Sequence, residues 1–136
     1  MRFADTSWWV AWALPGDVRH HQAMGMLASL GKSEQVLTSN LVVGETWTFL
    51  RRKDRHRTAV TFLDRIDALV HDGRLVLHRV GPDQEAAALD WLRQHDERVY
   101  SYVDATSFRI MRDRRLREAL AFDQDFAAAG FVEVRA

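Results

Sequence analysis

Four acidic residues sit where charge is hard to place: Asp5 in RFADTSWW, Glu45 in LVVGETWTFL, Asp104 in SYVDATSF and Asp123 in LAFDQDF. A buried carboxylate needs a hydrogen-bond donor, a counter-charge or a metal. Each acid has a local structural alternative. Asp5 could cap the helix that begins near Ser7, although Thr6 or Ser7 would serve without a buried charge. Ser101 and Asp104 have the spacing of a capping box. Asp123 could cap a short following helix, and Asp125 could be a first-turn charge there. Glu45 stands in a segment apolar almost all round, with Leu41 and Phe49 one helical turn to either side, which predicts a buried helix. Its alternatives are a partner arginine inside the fold or an escape to the surface.

Brought together, the four would repel and raise one another's pKa values, a conflict that a divalent cation removes. Oxygen donors without cysteine suit Mg²⁺ or Mn²⁺. The six histidines offer no ligand spacing, since His20 and His21 are adjacent and the others are scattered. Such a centre suits phosphate chemistry: the cation neutralises a phosphodiester, lowers the pKa of an attacking water and stabilises the leaving oxygen. A further carboxylate can orient or deprotonate that water.

The elements that must position these acids follow from periodicity and turn chemistry. Strands are predicted at 2–5, 36–39, 75–80, 119–122 and 131–134. Helices are predicted at 7–14, 17–30, 41–52, 56–71, 83–95, 102–115 and 124–129. Asn40 is the expected N-cap of the 41–52 helix, and Gly31, Gly73 and Gly130 are expected helix stops. Strands alternating with helices imply an α/β fold, a parallel sheet covered on both faces. Sites in such sheets lie beyond the carboxyl ends of the strands, where strand order reverses. Asp5 ends the first strand and Asp123 follows the fourth, so if those strands are neighbours both acids face one crevice.

The chain has 136 residues, which fits one domain over 1–136, with no repeat or linker. Hydrophobic content of 47% and charged content of 28% exclude the disordered and fibrous classes. The apolar run at 8–14 is far short of the ~20 residues that span a bilayer; it follows Asp5 and lacks the basic lead and small-residue cleavage site expected of a secretory signal. With no cysteine, the expected setting is cytoplasmic. Nineteen basic and nineteen acidic residues cancel, so net charge announces no nucleic-acid partner. Two Arg-rich stretches, 51–57 and 109–117, read as solvated helix faces or as binding patches. Trp8, Trp9 and Trp12 belong to the core or to an interface.

FADTS at 3–7, SNLVVGETWTFL at 39–50, YVDATSF at 102–108 and ALAFDQDFAAAGF at 119–131 resemble, in order, the four acidic blocks of PIN-domain ribonucleases. VapC-type toxins of toxin–antitoxin pairs are the most similar members. The resemblance implies a three-layer α/β/α sandwich with a five-stranded parallel sheet in the order 3-2-1-4-5, making strands one and four neighbours. It implies a Mg²⁺- or Mn²⁺-dependent endoribonuclease whose metal and catalytic residues are Asp5, Glu45, Asp104 and Asp123. Thr6 or Ser7 matches the supporting hydroxyl, and Asp125 is auxiliary. It further implies an RNA substrate, a homodimer and a cognate antitoxin whose tail enters the groove, with the Arg-rich stretches as candidate contacts.

Other classes fit less well. A phosphoacceptor receiver domain needs a paired acid near the first strand and a lysine near the last, but the only lysines are Lys32 and Lys53. A haloacid-dehalogenase-like phosphatase needs Asp at position 7, where Ser stands. A housekeeping PIN nuclease without an antitoxin, or a non-catalytic PIN-like binding module, remains the alternative.

Overall fold

The computed structural model describes residues 1–31 and 33–135; Lys32 and Ala136 lie outside the described residues. The chain runs β1 (Arg2–Ala4), α1 (Thr6–Ala13), α2 (His20–Ser29), β2 (Val36–Ser39), α3 (Asn40–Lys53), α4 (His56–His71), β3 (Leu75–His78), α5 (Pro82–Gln94), α6 (Tyr102–Asp113), β4 (Glu118–Leu120), α7 (Asp125–Ala128) and β5 (Val132–Glu133). All four strand pairings are parallel, in the order β3-β2-β1-β4-β5. The register of the central pair sets Phe3 against Ala119 and Ala4 against Leu120. Right-handed crossovers place α1 to α4 on one face. The β3-to-β4 connection reverses direction and carries α5 and α6 to the other. The order reverses between β1 and β4, where a crevice opens at the strands' carboxyl ends.

The core follows from the apolar strands and one unusual helix. Along β1 and β2, only Arg2 escapes full burial. Helix α1 (TSWWVAWA) buries Trp8, Trp9 and Trp12. Trp8 and Trp9 meet edge to face at 4.8 Å, as do Trp9 and Trp12 at 5.2 Å, and Phe62 of α4 adds a third edge contact at 6.1 Å. Trp9 Nε1 donates to Thr38 Oγ1 at 3.1 Å, and that hydroxyl donates to Ala4 O at 2.8 Å, so the aromatic helix is pinned to β1 and β2. The tryptophans are therefore core. On the opposite face Phe108, Phe126, Phe131, Trp91 and Tyr100 form a second aromatic cluster.

Local signals set most boundaries. Helix α4 stops where Gly73 adopts φ +74, a left-handed conformation that costs glycine nothing, and Arg74 N closes the turn on Leu69 O at 2.9 Å. One cap differs from expectation. Ser39, not Asn40, caps α3, its Oγ accepting from Val42 N at 3.1 Å. Asn40 instead accepts from Val80 N at 2.9 Å, tying α3 to the chain after β3. No helix among the described residues is long and apolar enough to cross a membrane.

Candidate active site

Asp5 is the first residue past β1 and the N-cap of α1. Its Oδ2 accepts from Ser7 N at 3.2 Å and from Ser7 Oγ at 2.9 Å. Ser7 Oγ in turn accepts from Phe122 N at 3.0 Å, and Asp5 N donates to Leu120 O at 3.0 Å. The ends of β1 and β4 are thus stitched together through the carboxylate and its neighbouring hydroxyl. Of the two candidate hydroxyls, Ser7 supports Asp5; Thr6 Oγ1 is buried with no hydrogen-bond partner.

Asp123 follows β4 by three residues, and its Oδ1 accepts from Asp125 N at 3.1 Å. Gln124 between them adopts φ +69, and it, not Asp123, takes the cap position of α7. Asp104 completes the capping box of α6. Its N donates to Ser101 Oγ at 2.9 Å, and its Oδ2 accepts from Ser101 N at 3.0 Å. Capping engages one carboxylate oxygen and leaves the other for the crevice.

One oxygen from each of Asp5, Asp104 and Asp123 lies within 4.8 Å of the others. Glu45 lines the same depression, of about 530 Å³, but stands outside that tight group. The expectation of a buried, all-apolar α3 is corrected here: Glu45 is half-buried, Gly44, Thr48 and Phe49 are exposed, and only Val42, Thr46 and Leu50 are buried. Glycine and threonine diluted the apolar pattern on the outer face, so Glu45 needs no internal counter-charge. Asp125 lines the depression, but its Oδ1 is held by Arg98 Nε at 2.6 Å.

Electrostatics separate these acids from ordinary surface carboxylates. Burial, reinforced by Asp123 and Asp104, pushes the Asp5 carboxyl well above its usual range. Burial also lifts Asp104 to about 6, against the pull of the Ser101 hydrogen bonds. Asp123 is raised as well, again chiefly by burial. Among the described residues, no Arg, Lys or His nitrogen forms an ion pair with Asp5, Glu45, Asp104 or Asp123. Three clustered carboxylates without a counter-ion, beside an unpartnered buried hydroxyl, fit a hard divalent cation.

Sequence reasoning missed what surrounds the acids. Arg19 lines the depression with its guanidinium 4.8 Å from the centre of the Phe122 ring. Arg98 binds both Asp125 and the Asp123 carbonyl. Val18 and Val99 are 98% and 96% exposed at its rim. Val18 and Arg19, read as the start of the 17–30 helix, precede α2, which begins at His20, and Arg98 and Val99 lie in the connection before α6; no local signal marked any of them as site residues.

A parallel sheet in the order 3-2-1-4-5 with clustered acids at the β1/β4 reversal defines the PIN class. The PIN domain family model matches residues 2–132, and the chain belongs to that family. The 23S rRNA-specific endonuclease VapC20 of Mycobacterium tuberculosis is 49% identical over 136 residues, 99% of this chain and 98% of that protein; it matches from two strains. A crystal structure of M. tuberculosis VapC20, described as a sarcin-ricin loop cleaving toxin, has a TM-score of 0.90 at 47% identity and covers 100% of both chains.

Proposed function

We propose that this protein is an endoribonuclease that hydrolyses RNA phosphodiester bonds with Mg²⁺, or Mn²⁺ in its place, and acts as the toxin of a toxin–antitoxin pair. The observation that carries the reading is the convergence of Asp5, Asp104 and Asp123, from distant parts of the chain, without a basic partner among the described residues. Identity of 49% across 99% of the chain supports 23S rRNA, at its sarcin-ricin loop, as the substrate. A homodimer and a cognate antitoxin whose tail enters the groove belong to the same reading.

Asp5, Asp104 and Asp123 are the residues that would hold the cation. When bound, it supplies charge neutralisation at the phosphate and a lowered pKa for the attacking water. Glu45, half-buried and free of ion pairs among the described residues, orients that water and accepts its proton. Ser7 holds the Asp5 carboxylate in place through Oγ. The site has no paired histidines to run the 2′-hydroxyl route, so the products carry 5′-phosphate and 3′-hydroxyl ends.

The test is cleavage of 23S rRNA by the purified protein with and without Mg²⁺, with ends mapped by sequencing. Asp5→Asn or Asp104→Asn is expected to lower the rate about 10²- to 10⁴-fold while the protein stays folded. Full activity in EDTA, or products ending in 2′,3′-cyclic phosphate, would overturn the reading. Growth arrest on expression, relieved by an acidic-tailed partner encoded alongside, separates the toxin from a housekeeping nuclease.

A further inference from the structure

One face of α3 has an arrangement that the carboxylate chemistry does not use. Glu45, Phe49, Arg52 and Lys53 are spaced by one and then two helical turns, so they share a face. Glu45 and Phe49 line the acidic depression and also a second one, of about 420 Å³, walled by Thr48, Arg52 and Lys53. The two hollows therefore adjoin at Glu45 and Phe49. At a rise of 1.5 Å per residue, the cations sit about 10 to 12 Å from Glu45. Phe49 is 45% exposed, a large apolar side chain with one face in solvent. Arg52 and Lys53 are exposed, and neither is engaged in an ion pair among the described residues. Asp54, the nearest acid in sequence, accepts from Thr58 Oγ1 at 2.7 Å instead.

We infer that this face of α3 is the track for an unpaired RNA strand flanking the cleaved bond, with one base stacked on Phe49 and neighbouring phosphates held by Arg52 and Lys53. The inference rests on the ribonuclease reading and gives it a substrate path. An acidic centre repels the polyanion it must cut, so attraction has to come from beside the carboxylates. Cations two turns along the same helix provide that without pairing with the acids. A half-exposed ring between carboxylate and cations fits a nucleobase, because stacking on an aromatic face tolerates any base once it is unpaired. Adjacency to the acidic depression and complementary charge favour RNA over a protein segment here.

The experiment uses the full chain and a labelled RNA oligonucleotide bearing the cut site in an unpaired loop. Cleavage is followed at steady state; equilibrium binding is measured in the Asp5→Asn background, where the strand stays intact. Arg52→Ala with Lys53→Ala is expected to raise KM and Kd together, to leave kcat within about twofold, and to flatten the slope of log affinity against log salt by about 1.4, or ~0.7 per lost phosphate contact. Phe49→Ala is expected to raise KM about 5- to 100-fold, and Phe49→Trp to restore it. Unchanged KM, Kd and salt slope in variants of a wild type that cleaves would overturn the track and leave the nuclease reading intact. So would variants that bind RNA normally but lose a protein inhibitor. A wild type that binds through these residues yet never cleaves would sink the nuclease reading and keep the track.

Discussion

Asp5 is at once the cap of α1 and a member of the carboxylate cluster. Two donors from Ser7 stabilise its charge, while burial and two neighbouring acids oppose it, and opposition wins. The consequence is a stability that runs against the usual direction for acids. An unfolded aspartate ionises near 3.8, whereas Asp104 in the fold holds its proton to about 6. Across that window the folded state binds more protons than the unfolded, so without metal stability should fall as pH rises from about 4 to about 6. Asp5 and Asp123 act in the same sense. Thermal melts between pH 4 and 8 check this: Mg²⁺ should rescue the high-pH side, and Asp104→Asn should show a smaller fall; a profile identical to wild type would contradict it. Ser7→Ala removes the hydroxyl joining Asp5 to Phe122 N and should cost 10- to 100-fold in metal affinity or activity, read by Mg²⁺ titration. At this scale the sequence made the acids conspicuous by their company: Asp after an apolar strand, Glu in a run that read as apolar but proved half-exposed. It could not choose between Thr6 and Ser7, because both hydroxyls were in reach and only the fold decides which one points at the carboxylate.

Helix α6 places Asp104 by local chemistry. The S-x-x-D spacing announced a capping box, and the box formed with both bonds, at 2.9 and 3.0 Å. The cap leaves Asp104 within the carboxylate cluster, so capping does not remove it from the proposed site. Ser101→Ala should cost about 1 kcal/mol in urea unfolding, the usual loss for an N-cap, and weaken Mg²⁺ binding by loosening the first turn. A loss of stability with metal affinity unchanged would confine Ser101 to capping. Elements with strong periodicity were legible: the 36–39 strand and the 56–71 helix match their predicted spans. Strand 75–80 was read two residues too long, because Arg79 and Val80 continue the β-like pattern after pairing with β2 has ended at His78. The cap of α3 was misread because Ser39 and Asn40 are both good caps, and the tertiary bond from Val80 N claimed Asn40.

For the whole molecule, alternation of strands and helices disclosed a parallel α/β sheet, but not which strands are neighbours. Strand order came only with the resemblance to PIN ribonucleases, since pairing partners leave no mark in local composition. The aromatic core behind the site was ambiguous for a similar reason: three tryptophans in one helix can fill a core or an interface, and full burial of Trp8 and Trp9 settles it. Trp9→Phe keeps most of the apolar volume but strands Thr38 without its indole donor, so a loss of about 1 kcal/mol in global stability is expected from denaturant melts.

The seam between β1 and β4 carries a consequence for synthesis. Asp5 is made before its partners in the crevice, which arrive only when Asp104 and then Asp123 have been added and β4 has docked beside β1. A polypeptide whose translation stops before residue 123 lacks one of the three clustered acids. On the proposed site, hydrolytic competence would come only once Asp123 has been added and the sheet has closed, so a fragment ending before residue 123 is expected to be inert.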